Sequence, residues 1–269
     1  MENIKRVTSA ILGLPMVIVV MLLGNQYVID VAIAIVAIIA LHEYFQAFST
    51  KYKPVQWIGY LAAVSICFIH LVTEEQLIRI VTFSIPVVIA ILFIQLVIKN
   101  SKINVIDIAI TFLGIFYVVL FSMFIALLAG RNNGKILVWY IFIISWGTDT
   151  FAYLIGRKIG KHKFSKISPN KSIEGCIAGI VGSVLLSVIY TYCIQQFLHI
   201  SIFTYWYVII MAVVLSVIGQ FGDFAASSIK RLVEIKDFSD LIPGHGGILD
   251  RIDSLLFIAP FAYILLTLI

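Results

Sequence analysis

The stretch VIDIAITFLGIFYVVLFSMFIALL, Val105–Leu128, decides the fold class because Asp107 is its only charged residue. A helix needs about 20 consecutive, mostly apolar residues to cross the hydrocarbon core of a bilayer. The stretch also lacks the alternation of apolar and polar residues that is typical of strands in membrane β-barrels. Backbone groups inside a bilayer must be hydrogen-bonded within the protein, so the stretch predicts a transmembrane helix.

Eight similar runs occur in the rest of the 269-residue chain, which is 61% hydrophobic and 12% charged. A soluble domain usually has about 25% charged residues. We therefore predict an all-α, polytopic membrane protein with about nine transmembrane helices. The first run is interpreted as a retained span rather than a signal peptide, because the second follows almost at once without a clear cleavage site. The further runs are Val7–Leu23, Tyr27–Phe45, Trp57–Val72, Gln76–Ile98, Ile136–Ile155, Gly175–Phe197, Phe203–Phe221 and Ile252–Ile269.

The basic residues predict the orientation of these helices. If the N-terminus is cytoplasmic, only Arg79, Arg131 and Lys135 of the 19 lysines and arginines lie on the outer side. Cytoplasmic loops of membrane proteins typically carry such an excess of Lys and Arg. This bias explains the formal net charge of +5 without a nucleic acid partner. We predict a multi-pass protein of the plasma membrane whose active site faces the cytoplasm.

The two halves of the chain differ in the character of their connections. Up to residue 135 the connections are short and chemically plain, whereas Gly156–Glu174 and Asp223–Arg251 are long and rich in charge, glycine, serine and proline. We predict one integrated membrane domain. Residues 1–135 would form its N-terminal transmembrane scaffold, and residues 136–269 its C-terminal catalytic half.

The first of these long segments follows an acid inside an apolar run. A carboxylate such as that of Asp149 is expensive in a membrane unless it is paired, metal-bound or hydrated. Tyr153 is four residues later and shares its helical face. Five basic residues then follow between Arg157 and Lys166, which favours a phosphate-binding loop; a positive-inside loop beside one buried Asp is the alternative. The glycine spacing in Gly156–His162 does not fit a Walker A loop.

The stretch DFAASSIKRLVEIKDFSDLIPGHGGILDRID, Asp223–Asp253, is the stronger functional signal. Asp223 and Ser227 are four residues apart, so they share one face of a helix. Asp250 and Asp253 are three residues apart and share a face as well. An acid near a helix N-terminus also stabilises the helix by itself, which is the alternative explanation for either residue alone.

This stretch combines carboxylates, four Lys or Arg residues and the glycine-rich turn Pro243–Gly247. Mg²⁺ binds one or two protein carboxylates and completes its coordination with water and substrate phosphates. Lys and Arg neutralise phosphate charge, and glycines let backbone N–H groups approach an anion closely. The combination predicts phosphoryl or nucleotidyl transfer, whose catalysis is mostly positioning and charge neutralisation. The triplet His245-Gly246-Gly247 also occurs in esterase oxyanion loops, but no Gly-x-Ser-x-Gly accompanies it, which disfavours a serine hydrolase.

Four other polar residues lie in or beside apolar runs, namely Asp30, His42, Glu43 and Asp107. Intramembrane acids and histidines can form proton relays. These residues are near the predicted helix ends, so hydrated positions at the membrane interface are the favoured interpretation.

The pattern in Asp223–Asp253 resembles the signature of the phosphatidate cytidylyltransferase (CDP-diacylglycerol synthase) family. That signature reads Ser-x-aliphatic-Lys-Arg, four residues, Lys-Asp, and then a stretch that ends in His-Gly-Gly-x-x-Asp-Arg-x-Asp. Asp149–Tyr153 and Ser168–Gly175 are similar to upstream features of the family, so the resemblance covers roughly the last half of the chain. The signature positions are filled by Ser227, Ile229, Lys230, Arg231, Lys236, Asp237, Ser239, Pro243, His245, Gly246, Gly247, Asp250, Arg251 and Asp253.

The resemblance implies a reaction in which CTP and phosphatidic acid give CDP-diacylglycerol and pyrophosphate. It also implies Mg²⁺, with or without a second cation, and a homodimer in the bilayer. The expected catalytic residues are Asp223, Asp250, Lys230, Arg231, Lys236 and Asp237. The expected substrate-binding residues are Ser227, His245, Gly246, Gly247, Arg251, Lys171 and Asp149. The expected metal ligands are Asp223, Asp250 and Asp253.

Two other functions are compatible with parts of the pattern. A CTP-using lipid or polyprenol kinase would share the acids and bases but would transfer the γ-phosphoryl group. A transporter could also contain intramembrane acids, but transporters often have inverted repeats and interrupted helices near the membrane midplane. Neither feature is evident in the sequence, and its acids cluster at one face.

Overall fold

The computed structural model describes residues 15–98, 102–163, 171–242, 244 and 246–267. These residues contain helices and no β-strand, apart from two isolated antiparallel bridges, Lys163 with Ser172 and Ile242 with Gly246. The all-α prediction is confirmed for this part of the chain. The helices are α1 (15–23), α2 (Gln26–Phe48), α3 (Gln56–Leu71), α4 (Glu74–Ile98), α5 (Val105–Ala129), α6 (Gly134–Ile159), α7 (Ile173–Leu198), α8 (Tyr205–Leu232) and α9 (Leu249–Thr267).

Six of the described helices, namely α2 and α4 to α8, are long and apolar enough to cross a membrane. This finding supports the prediction of a multispanning membrane protein. Helix α1 continues the predicted first run, most of which lies outside the described residues, and α3 is shorter than a full span. Helix α9 has Asp250, Arg251 and Asp253 in its first turns. The number of about nine spans and the cytoplasmic N-terminus therefore stay predictions.

Polar side chains determine where several helices begin. Asn25 Oδ1 accepts a hydrogen bond from the backbone N–H three residues later, at 2.9 Å, ahead of α2. Asn104 and Asp107 form a reciprocal capping box at the start of α5. Ser172 Oγ accepts a hydrogen bond from the Gly175 N–H at 3.1 Å at the start of α7. Each bond satisfies an N–H group that has no partner inside its own helix.

The acids near the predicted helix ends are buried, which corrects the expectation that they are hydrated. Asp30, Glu43 and Asp107 are 1%, 3% and 2% exposed. His70 Nδ1 lies 2.8 Å from Asp30 Oδ2, and Asp107 Oδ1 accepts the backbone N–H of Lys53 at 2.7 Å. The expectation failed because distance along an apolar run does not tell which face of the helix packs inside the protein.

The chain forms two compact units that are each discontinuous in sequence. The first contains the described residues up to Lys135 and the segment Leu232–Arg251. The second contains Ile136–Arg231 and the described residues from Ile252 onward. Residues of the signature therefore occur in both units. The functional division into a scaffold and a catalytic half at residue 135 stays a prediction.

The core of the first unit is built around the C-terminal half of the predicted second run. Tyr44 and Phe45 of α2 are fully buried. A Cβ atom at Gly114 would lie 2.8 Å from the Tyr44 ring, so only glycine lets α5 pack this closely. Helix α4 differs, because Leu92 is its only buried residue. Its exposed apolar surface fits a helix that faces lipid.

The second unit relies on small residues where its helices touch. A Cβ atom at Gly179 of α7 would lie 2.7 Å from the Thr148 carbonyl oxygen of α6. A Cβ atom at Gly222 of α8 would lie 2.6 Å from the Phe257 side chain of α9. Small residues at these positions let helix backbones approach, as is common in membrane proteins. The close packing brings polar residues from α6, α8 and α9 together.

Candidate active site

Three carboxylates of the second unit form an acidic cluster, which we define as Asp149, Asp223 and Asp253. They come from α6, α8 and α9 respectively. Asp253 is 6% exposed, and the charges of Asp223 and Asp149 both act on it. Like charges at short range repel each other strongly in a medium of low dielectric constant. The cluster therefore favours a positive charge among its members.

Hydrogen bonds fix two members of the acidic cluster. Ser254 Oγ donates to Asp149 Oδ2 at 3.2 Å and lies 2.9 Å from the hydroxyl of Ser145. The Ser254 N–H donates to Asp253 Oδ1 at 2.7 Å. Ser254 thus contacts both acids from the second turn of α9. Thr148, next to Asp149, adds a 2.7 Å hydroxyl contact with Ser216 that joins α6 to α8.

Basic and hydroxyl groups surround the third member, Asp223, which is half-buried. The Lys171 ammonium forms an ion pair with Asp223 Oδ2 and lies 4.6 Å from the centre of the Phe224 ring. The Ser227 hydroxyl donates to Asp223 Oδ1 at 3.4 Å, as the four-residue spacing predicted. The positive charge of Lys230 acts on Asp253. Lysines therefore lie beside the acids, as a site for a metal and phosphate groups requires.

In the first unit, Asp250 holds the glycine-rich turn of the signature. Its Oδ2 atom accepts the N–H groups of Phe238 at 2.8 Å and Gly247 at 3.0 Å. The Ile242 N–H donates to the Gly246 carbonyl oxygen at 2.9 Å, which closes the turn. Gly246 has φ +81°, a conformation that side chains rarely adopt. A Cβ atom there would also lie 3.0 Å from Asp250 Oδ2.

Glu43 is a residue at this turn that the sequence interpretation misplaced. Its Oε1 atom accepts hydrogen bonds from the Ser239 hydroxyl at 2.6 Å and the Ile248 N–H at 3.0 Å. Its Oε2 atom accepts the Leu249 N–H at 2.7 Å. The rule that intramembrane acids are functional by default was the signal that could have identified it.

The candidate residues divide between the two units. Position within a unit does not establish what a residue does, so each role stays a prediction. His245 lies outside the described residues. The side chains of Arg231, Lys236, Asp237 and Arg251 are exposed. The first unit contains Lys236, Asp237, Gly246, Gly247, Asp250 and Arg251, and the second contains Asp149, Lys171, Asp223, Ser227, Lys230, Arg231 and Asp253.

The donor chemistry of the acidic cluster fits Mg²⁺. In the described part of the chain, no group of three or more His, Cys, Asp or Glu side chains is arranged to hold a metal ion. Mg²⁺ does not require such a group, since it commonly binds one or two carboxylates together with substrate phosphates and water. Asp223 and Asp253 provide two carboxylates that act on each other electrostatically. These are hard oxygen donors of the kind that Mg²⁺ prefers.

Comparison with known proteins decides the family. A profile of the cytidylyltransferase family matches residues 4–269. The chain belongs to this family. The resemblance seen in the last half of the sequence is therefore confirmed, and the family match also covers the N-terminal helices, which lie outside that half.

Proteins named phosphatidate cytidylyltransferase are among the relatives of this family member. The protein of Staphylococcus haemolyticus is 33% identical over 269 residues, which cover 97% of this chain and 98% of that protein. The protein of Staphylococcus epidermidis is 34% identical with the same coverage. The protein of Bacillus subtilis is 41% identical over 160 residues, or 59% of this chain and 58% of that protein.

Proposed function

We propose that this cytidylyltransferase family member is a phosphatidate cytidylyltransferase. It transfers CMP from CTP to phosphatidic acid and releases pyrophosphate. The observation that carries this proposal is the similarity, over almost the whole chain, to proteins named for that activity. The unbroken signature between Ser227 and Asp253 supports it independently of overall identity.

The proposed reaction is a displacement at phosphorus. An oxygen of the phosphatidic acid phosphate attacks the α-phosphorus of CTP, and the bond from that phosphorus to the bridging β-phosphate oxygen breaks. Pyrophosphate leaves with the electron pair. No side chain is needed as a general base, because a phosphate monoester with a second pKa of about 6 is mostly ionised at neutral pH. The protein therefore has to position two polyanions and neutralise their charge.

The residues of the second unit are suited to this task. Lys171 and Lys230 lie beside the acidic cluster and are proposed to bind phosphate oxygens. Asp223 and Asp253 are the proposed Mg²⁺ ligands in this unit. Asp250 of the first unit is also proposed as a metal ligand, on the basis of the sequence pattern. Mg²⁺ is proposed with or without a second cation. Mg²⁺, when bound, would offset the negative charge of the triphosphate. Arg231, Lys236 and Arg251 are proposed to add further phosphate contacts.

The reaction is proposed to occur at the cytoplasmic side of the plasma membrane. CTP is a cytosolic nucleotide, and the phosphatidic acid headgroup lies at the membrane interface. The excess of Lys and Arg in the loops predicted to be cytoplasmic supports this orientation. A homodimer is expected through the family resemblance.

The proposal is tested with purified protein in detergent, supplied with CTP, dioleoyl phosphatidic acid and Mg²⁺. Mass spectrometry of the lipid extract is expected to show CDP-dioleoylglycerol, with one pyrophosphate released per product. No lipid-bound cytidine under these conditions would contradict the proposal.

Lys171→Met is expected to raise the KM for CTP and to lower the Mg²⁺ concentration that gives half-maximal activity. The first effect follows from the loss of a phosphate contact. The second follows because the Lys171 ammonium pairs with Asp223 and would compete with a cation for that carboxylate. We expect kcat/KM to fall by about 10-fold to 100-fold, the loss typical of one charged contact of 1.5–3 kcal/mol. Steady-state titrations of CTP and Mg²⁺ measure both constants.

The exposed residue Lys102 provides a matched control for this change. Lys102→Met is expected to leave both constants within about twofold of wild type, since exposed surface substitutions rarely matter. If Lys171→Met left the KM for CTP unchanged, Lys171 would not be a phosphate contact.

A further inference from the structure

Glu43 is a buried carboxylate for which the proposed chemistry has no use. It lies near the C-terminal end of α2 and is 3% exposed. Burying a charge costs several kcal/mol unless hydrogen bonds compensate. Here three donors do so, one hydroxyl and two backbone N–H groups, and they occupy both carboxylate oxygens. Hydrogen bonds to an ionised acceptor are about twice as strong as neutral ones.

All three donors belong to the signature turn, which we define by the described residues of Ser239–Leu249, namely 239–242, 244 and 246–249. The Leu249 N–H opens α9, and the Ile248 N–H directly precedes it. Such N–H groups at a helix N-terminus have no partner within the helix and favour a negative charge. Glu43 supplies that charge from a residue about 200 positions earlier in the chain. The turn is therefore held by α2 through bonds between side chain and backbone.

The close approach of Glu43 also explains one of the signature glycines. Gly247 is buried, and a Cβ atom there would lie 2.5 Å from Glu43 Oε2. Any side chain would displace the carboxylate from its three donors. The substrate-binding role expected for this glycine stays a prediction, and the geometry adds a close contact with Glu43. Asp250 holds the same turn from the other side, through the N–H groups of Phe238 and Gly247.

A proton relay through Glu43 does not fit these contacts. Its neighbour His42 is exposed, and His42 Nδ1 lies 2.8 Å from the Tyr60 hydroxyl. Both Glu43 oxygens accept hydrogen bonds from groups of the turn. These contacts hold a backbone conformation.

We propose that Glu43 is a positioning residue, whose buried carboxylate locks the signature turn in the single conformation that orients CTP for attack by the lipid phosphate. The inference rests on the proposed function, because it concerns the same reaction. It adds a residue outside the signature and gives Ser239 and Gly247 a role through Glu43. Glu43 acts through the turn and not on the reacting atoms.

Glu43→Gln is the sharpest substitution because it keeps the size of the side chain. The glutamine amide has one acceptor oxygen and one NH₂ donor. Both oxygens of Glu43 accept hydrogen bonds from N–H or O–H groups of the turn. In the variant, the NH₂ group would replace one of these oxygens and would place a donor opposite a donor. We expect kcat to fall by about 10²-fold, the cost of misplacing reacting groups by about 1 Å. Hydrogen exchange at the amides of Ile248 and Leu249 is expected to become faster, while exchange in α5 stays unchanged.

Glu234→Gln is the matched control in the same unit. Glu234 is exposed and pairs with Lys51 at 2.7 Å, and the hydrogen bond from Lys51 lowers the pKa of its carboxyl group. Such exposed pairs contribute little. This variant is expected to keep kcat, the KM for CTP and the exchange rates of the signature turn within about twofold of wild type.

Glu43→Asp tests the role even if Glu43→Gln does not fold. It keeps the charge but shortens the reach, so we expect kcat between those of wild type and Glu43→Gln and partial protection of the two amides. Wild-type kcat together with wild-type exchange in either Glu43 variant overturns the inference. A loss of kcat without faster exchange in the turn also overturns it. If wild-type protein itself forms no CDP-diacylglycerol, the proposed function fails, and the exchange data still report whether Glu43 holds the turn.

Discussion

Asp223→Asn is expected to lower kcat for CDP-diacylglycerol formation by about 10³-fold, the upper range for the loss of one preorganised electrostatic group. The carboxylate of Asp223 forms an ion pair with Lys171, accepts the Ser227 hydroxyl and acts on Asp253. An amide of the same size removes the charge that a cation would need, but leaves the packing of α8 intact. Initial rates with labelled CTP over a range of Mg²⁺ concentrations measure the loss.

The control for this substitution is Asp240→Asn in the signature segment. Asp240 is exposed and does not occupy a fixed position of the signature. Its variant is expected to retain activity within about twofold. Both variants are compared by size-exclusion elution and thermal midpoint, so that misfolding is separated from lost chemistry. Turnover by Asp223→Asn within tenfold of wild type would be inconsistent with its role as a metal ligand.

The variants Asp250→Asn and Asp250→Ala are expected to differ in the conformation of the signature turn. One oxygen, Oδ2, accepts both the Phe238 and the Gly247 N–H groups. Asparagine keeps one such acceptor, so the turn should be preserved while the charge is lost. We expect kcat of Asp250→Asn to fall by about 10²-fold to 10³-fold, with amide exchange in Ser239–Leu249 close to that of wild type.

Asp250→Ala removes the acceptor as well as the charge. Phe238 and Gly247 are buried, and the hydrogen bond that each N–H donates to Asp250 would be lost, at a cost of about 1–3 kcal/mol each. Faster exchange at these two amides is expected in addition to the loss of kcat. If Asp250→Asn kept wild-type turnover while Asp250→Ala lost it, Asp250 would be a structural residue of the turn and not a metal ligand.

Apolar runs were sufficient to predict the helical fold, because a bilayer leaves few other arrangements for the backbone. They were less informative about which helices span. Helix α9 has Asp250 and Arg251 in its first turn, and α3 ends in a short 3₁₀ segment, so the described residues of both fall short of a simple apolar span. A π-helical turn at Ile115–Leu120 within α5 also left no mark in the pattern of apolar residues.

Local spacing predicted the contacts that stay within one helix. The Asp223–Ser227 bond is an example, because residues four apart are neighbours on a helix surface. Lys171 and Asp223 are 52 residues apart, and no spacing rule pairs them. Glu43 was misplaced for the same reason. Its partners are about 200 residues away, and hydropathy alone cannot distinguish a buried acid from a hydrated one.

Cytidylyl transfer is tested most directly by following the individual phosphorus atoms of CTP. Purified protein is incubated with phosphatidic acid, Mg²⁺ and CTP that is labelled with ³²P at either the α or the γ position. The α label is expected to enter the lipid fraction, and the γ label is expected to be released as pyrophosphate. Transfer of the γ label to lipid with release of CDP would identify a kinase and contradict the transfer of CMP to phosphatidic acid.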